Sequence, residues 1–209
     1  MAESGIYGNF TETLFAVKKK LELQILAWNE EAAQRGEHKC FEHLTSRVKT
    51  ERSMRDKLLR RGLEETTENA LCRLTDAIGL RIVTRFVDDI YRVKAKLAAL
   101  PGVEIAEEKD YIQNVKPSGY RSLHLILHCE TDAPDFYGRV PGQFFVEVQI
   151  RTIAMDFWAS LDHELKYKKE IPDAEEISEE LRACADIIAD TDEKMLAIRR
   201  RIEQKENER

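Results

Sequence analysis

The stretch Phe144-Phe145-Val146-Glu147-Val148-Gln149-Ile150-Arg151 changes polarity at nearly every residue, and few backbones can use such a pattern. In an extended strand, successive side chains point to opposite faces. Phe144, Val146, Val148 and Ile150 then form one apolar face, while Phe145, Glu147, Gln149 and Arg151 form the other. The chain must therefore build a sheet with one face in a core and a carboxylate, an amide and a guanidinium on the opposite face. From the pattern alone, that second face fits either the wet side of an antiparallel sheet or a site.

Other segments fill in the architecture. Leu80, Ile82 and Thr84 alternate with Arg81, Val83 and Arg85 after Gly79, which predicts a second strand, and Ser122 to His128 reads as a third. Leu14, Val17, Leu21, Ile25 and Trp28 recur at three- and four-residue steps, predicting a helix from Phe10 to Gln34 with Gly36 as its stop. Thr50 to Arg61 reads as a helix capped by Thr50, with Met54, Leu58 and Leu59 as its apolar side. A further helix runs from Asp88 to Leu100. Glu108 to Gly119 is polar, includes Lys116-Pro117-Ser118-Gly119 and reads as a surface loop. These elements point to a mixed α/β sheet flanked by helices, of α+β type. With 209 residues, 43% of them hydrophobic, the chain has room for one such domain. Within it, residues 1–43 read as an N-terminal helical region, 44–170 as the α/β core and 171–209 as a C-terminal helical segment.

From Ile177 onward, Leu181, Cys184, Ile188, Thr191, Met195, Ile198 and Ile202 continue in alternating four- and three-residue steps. This predicts a long helix whose seam contacts another subunit as well as its own domain. No apolar run approaches membrane-spanning length and no basic-then-apolar leader opens the chain, so a cytoplasmic protein without a membrane partner is expected. Cys40, Cys72, Cys129 and Cys184 are too scattered for a zinc site or a disulfide framework. A formal net charge of −6 argues against a general nucleic-acid binder.

Candidate chemistry gathers on these elements. Asp76 and Glu147 come from separate strands and could bridge a divalent cation to phosphates, since Mg²⁺ usually keeps one or two protein carboxylates. Arg47, Lys49, Ser53 and Lys57 cluster at and along the second helix, where a helix N-terminus also favours anions. Lys116, Tyr120 and His124 fall within nine residues of one another, a stacking ring beside two phosphate-binding groups. Each set also has a plainer reading, as a turn, a solvated face or a half-buried ring.

Asp76-Ala77-Ile78-Gly79-Leu80-Arg81, Lys116-Pro117-Ser118-Gly119-Tyr120-Arg121-Ser122-Leu123-His124 and Val146-Glu147-Val148-Gln149-Ile150-Arg151-Thr152 resemble, in order, the synthetase motifs of the RelA/SpoT family. Ser46-Arg47-Val48-Lys49 followed by Ser53 resembles the family's ATP-binding segment. The resemblance is to the small, stand-alone members, and it implies a nucleotidyltransferase-like core and a pyrophosphokinase that moves pyrophosphate from ATP to the 3′-hydroxyl of GDP or GTP, with GMP a further possible acceptor. It implies Mg²⁺ on Asp76 and Glu147, with Glu147 also accepting the hydroxyl proton. Arg47 and Arg81 would sandwich adenine, and Lys49, Ser53 and Lys57 would hold the ATP phosphates. Tyr120 would stack on guanine, Lys116 and His124 would meet the acceptor phosphates, and Gln149 would lie beside the acceptor. Asp156 is a candidate acceptor for the N1 and N2 hydrogens of guanine. No hydrolase activity is expected, and homotetramers assembled through the C-terminal helices are implied, with a nucleotide or RNA as a possible regulator. Relatives that modify tRNA 3′ ends or make adenine alarmones are the alternative within the family, and a non-catalytic nucleotide or RNA sensor is the alternative outside it.

Overall fold

The computed structural model describes residues 5–167 and 174–208. Its elements are α1 (Thr11–Gln34), β1 (His43–Val48), α2 (Glu51–Arg60), β2 (Ile78–Thr84), α3 (Val87–Ala98), β3 (Val103–Asp110), β4 (Leu123–Thr131), β5 (Gly142–Thr152), α4 (Ile153–Tyr167) and α5 (Ala174–Asn207). A five-stranded mixed sheet runs β1-β2-β5-β4-β3, with β2 and β5 parallel and the other pairs antiparallel. The strand with alternating polarity, β5, is thus central, and its pattern sets the faces of the whole sheet.

Cross-strand register carries the apolar face outward from β5. Val146 stands beside Ile78 and Leu127, Val148 beside Leu80 and Leu125, and Ile150 beside Ile82 and Leu123. All nine are buried. The stripe Leu14, Val17, Leu21, Ile25 and Trp28 of α1 and the residues Ile90, Val93 and Leu97 of α3 close over them in a single cluster. Such side chains are tightly packed, so replacing Ile82 by Ala would cost about 2–5 kcal/mol.

Two strands departed from expectation. β1 had not been assigned, and β3 occupies the start of the segment read as a loop from Glu108. Both lie at the edges of the sheet, where one side is open to water and little apolar content is needed, so neither carries a clear hydrophobic signal. A bulge between Ile105 and Glu107 in β3 turns Glu107 and Lys109 toward the polar face. In α2, Thr50 caps the helix as expected by accepting from the Ser53 amide, and Met54 and Leu58 are buried. Leu59 is 63% exposed and does not belong to the apolar side, because the buried face of this short helix is only one residue wide per turn.

α5 is the long C-terminal helix, but its packing stripe is offset from the predicted seam. Leu181, Ala185, Ile188, Asp192, Leu196 and Arg199 face the domain, whereas Met195, Ile198 and Ile202 are about half exposed. Short and polar residues at the packing positions hid the true contact face. Leu181 and Ile188, both in the predicted seam, do pack on their own domain beside Trp158 and Ala185.

Candidate active site

The polar face of the sheet is arranged in rows. One row reads Arg47, Gly79, Glu147, Ile126, Glu107; the next reads Thr45, Arg81, Gln149, His124, Lys109. Cross-strand neighbours share a face, so register alone brings Arg47, Arg81, His124, Glu147 and Gln149 together. Gly79 leaves a gap between Arg47 and Glu147. There a cavity of about 200 Å³ is lined by Thr45, Ser46, Arg47, Gly79, Leu80, Arg81, Glu147 and Gln149. Two guanidinium groups thus border one space, a geometry suited to holding a flat ring. A larger groove of about 710 Å³ lies elsewhere, between the segment Gly36–Cys40, α3 and the end of α5, and shares no residue with this face. Arg85, expected to share a face with Arg81, turns toward that region and pairs with Glu42 at 2.9 Å.

Asp76 sits just before β2 and is held by Lys49 and Lys57, the latter with its Nζ 2.6 Å from Asp76 Oδ2. Burial raises the Asp76 pKa, but the bonds from the two lysines outweigh it and hold the carboxyl below the usual range. Its second oxygen, Oδ1, is buried with no hydrogen-bond partner among the described residues. An anionic, partly unsatisfied oxygen beside two lysines fits a hard cation delivered with phosphates, and Glu147 is a second oxygen donor on the adjacent face. Ser53 lies in the first turn of α2, its hydroxyl 2.9 Å from that of Thr50. Tyr7, from the N-terminal turn, donates to the Lys49 carbonyl at 2.8 Å and fixes the backbone between β1 and α2.

The other half of the face is built around rings. Tyr111, Tyr120 and His124 meet edge to face, with centroids 5.2–6.1 Å apart. Lys116 Nζ lies 4.2 Å from the centre of the Tyr111 ring and 5.0 Å from that of Tyr120. The Tyr120 hydroxyl accepts from Arg151 at 2.6 Å, so its own proton goes to His124 Nε2 at 2.7 Å. The remaining imidazole proton then sits on Nδ1, which lies 3.8 Å from Glu147 Oε1. Burial, followed by the charges of Arg151, Lys116, Lys109 and Arg81, pushes the His124 pKa down to about 4, leaving the ring neutral near pH 7. Asp156, in the first turn of α4, takes Arg151 at 3.0 Å and Arg81 at 3.4 Å on the same oxygen.

The loop that carries Lys116 and Tyr120 rests on α5. Gly119 has φ +87°, and a Cβ there would come within 2.6 Å of the Ala185 Cβ. Arg121 reaches across to the Ala185 carbonyl and to Asp186 at 3.0 Å, and Trp158 donates to the Leu181 carbonyl at 2.9 Å. Thr152, which ends β5, bonds to the buried Asp192. Tyr111 and these α5 contacts were missed in the sequence. Arg151 was visible there as the next outward residue after Gln149, without a role.

Known proteins resemble this chain in sequence and in fold. Residues 46–172 match the family model described as the region found in RelA / SpoT proteins. The chain is 42% identical over 166 residues to GTP pyrophosphokinase YwaC of Bacillus subtilis, covering 79% of this chain and 77% of that protein. It is 34% identical over 170 residues to GTP pyrophosphokinase YjbM of the same organism, with 80% and 76% covered. The crystal structure of small alarmone synthetase 1 from Bacillus subtilis, bound to its product pppGpp, superposes with a TM-score of 0.80 at 31% identity, covering 93% of this chain and 96% of the other. In order of motifs, in length matched and in fold, the chain belongs to the RelA/SpoT family.

Proposed function

We propose that the protein is a (p)ppGpp synthetase, transferring the β,γ-pyrophosphoryl group of ATP to the ribose 3′-hydroxyl of GDP or GTP and releasing AMP. The observation that carries this reading is the position of Glu147. It stands between the arginine-bordered cavity on one side and the Lys116, Tyr120 and His124 cluster on the other. A carboxylate there can take the proton of an acceptor hydroxyl approaching from the ring side while a donor lies along β1 and β2.

In this reading Arg47 and Arg81 hold adenine between them. Lys49, Ser53 and Lys57 draw the donor phosphates toward the start of α2, where the free amides favour anions. Tyr120 offers its ring to guanine, with Gln149 beside it and Asp156 accepting from its N1 and N2 hydrogens. Lys116 and His124 meet the acceptor phosphates, His124 as a neutral donor. Asp76 and Glu147 would hold Mg²⁺, which would neutralise charge on the transferring phosphates. The 3′-oxygen forms its bond to the β-phosphorus as the bond to the α-phosphate oxygen breaks, and the hydroxyl proton passes to Glu147. Alignment and charge neutralisation supply most of the rate in such a transfer.

We place the enzyme in the cytoplasm, where its nucleotides are, and assign it a homotetrameric state built through α5, whose Met195, Ile198 and Ile202 are left uncovered in the single chain. The test is incubation of the pure protein with γ-³²P-ATP, Mg²⁺ and, separately, GMP, GDP, GTP and deacylated tRNA. Labelled guanosine 3′-diphosphates are expected, with the rate lowered about 10²–10⁴-fold in Glu147→Gln. Label on tRNA alone would overturn the assignment of acceptor.

A further inference from the structure

Resting on the synthetase reading, we infer that Arg151 is the positioning residue of the acceptor half: its guanidinium holds Tyr120, Gln149 and Asp156 in one fixed arrangement. The residue is 5% exposed, a rare state for an arginine. It binds Asp156 Oδ1 at 3.0 Å, Gln149 Oε1 at 3.0 Å, the Tyr120 hydroxyl at 2.6 Å and the Ser122 hydroxyl at 3.4 Å. Its central carbon also lies 5.1 Å from the centre of the Tyr120 ring.

Burying a cation is costly, and a core that needed only stability would do as well with apolar side chains. Here the partners are not packing groups. Three of them are the polar ends assigned to the acceptor, and among the described residues this guanidinium is the one group that contacts all three; Asp156 and Tyr120 have Arg81 and His124 as further partners. The planar fork of five N–H donors fixes their separations at once, which a lysine ammonium cannot do. The Tyr120 ring is pinned at its hydroxyl, while its backbone belongs to the loop seated on α5, so the ring is held at both ends. Through Asp156 the array reaches Arg81, but Arg81 keeps that carboxylate when Arg151 is gone. Loss of Arg151 therefore falls on the acceptor and spares the donor.

The test uses the full chain with Arg151→Lys, Arg151→Gln and Tyr120→Phe. Binding of GDP and of the non-hydrolysable donor AMPCPP is measured by calorimetry, and KM and kcat are measured with each substrate varied. For the Arg151 variants, Kd and KM for GDP should rise about 10–100-fold, the loss that small misplacements produce, while AMPCPP binding stays at the wild-type value. Tyr120→Phe keeps the ring and loses the hydroxyl that Arg151 and His124 share, so it should weaken GDP in the same direction by a smaller factor. Unchanged GDP binding, or equal weakening of GDP and AMPCPP, would overturn the inference. Where an Arg151 variant does not fold, Tyr120→Phe decides: wild-type GDP affinity there overturns it. If the wild type binds GDP but transfers nothing, the synthetase reading fails while the binding data still judge Arg151.

Discussion

The halves of the site proposed for donor and acceptor are held together in different ways. Arg47, Lys49, Ser53, Lys57, Asp76 and Arg81 come from β1, the turn after it, α2, the residues just before β2 and β2 itself. Asp76 is satisfied within this set by Lys49 and Lys57, while Arg81 reaches Asp156 across the site. Tyr120, His124, Gln149, Arg151 and Asp156 depend instead on tertiary packing: a loop stands on α5, a central strand ends on Asp192, and one buried guanidinium ties them together.

Three substitutions sharpen that contrast, in order of expected size. Asp76→Asn removes the donor-side carboxylate and should lower kcat about 10²–10³-fold, the scale for loss of one charge-stabilising group. Because Asp76 touches only Lys49 and Lys57 among the described side chains, GDP affinity should stay unchanged. Equal losses at both substrates would show that the halves are one unit. Gly119→Val strikes the other side. At φ +87° and with Ala185 2.6 Å from the new Cβ, it should cost about 1–3 kcal/mol of stability, read as a lower Tm. GDP should bind more weakly while AMPCPP does not, and an unaltered GDP affinity would mean that the loop does not need α5.

The smallest effect concerns the α5 anchor itself. Burial raises the Asp192 pKa above its ordinary value, and the Thr152 bond only partly offsets this. A carboxyl whose folded pKa is raised stabilises the fold fully below its unfolded value, near 4, and loses that contribution as pH rises through the folded value. Asp192→Asn should therefore raise Tm at pH 8, by less than Gly119→Val lowers it. The gain should shrink toward zero as pH is lowered to about 4. A gain that is the same at both pH values would place the effect in packing instead.

How much of this could be read in the sequence follows from the same division. The alternation of β5 fixed the polarity of the sheet because β5 is its centre, and the basic cluster of α2 lay close to Asp76 along the chain. The edge strands β1 and β3 were invisible for want of an apolar period, although β1 carries Arg47 and β3 carries Lys109. The role of Arg151 depends on Tyr120 and Asp156 arriving from either side, which no spacing records. The heptad in α5 was legible, but alanine, aspartate and arginine at its packing positions concealed which side meets the domain.

The two lysines on Asp76 have a further consequence. They act as an internal placeholder: the carboxylate already has two ammonium counterions, and the trio's net positive charge disfavours a lone cation. In the proposed reaction, phosphates arriving beside α2 would compete for those same lysines and loosen their hold on the carboxylate.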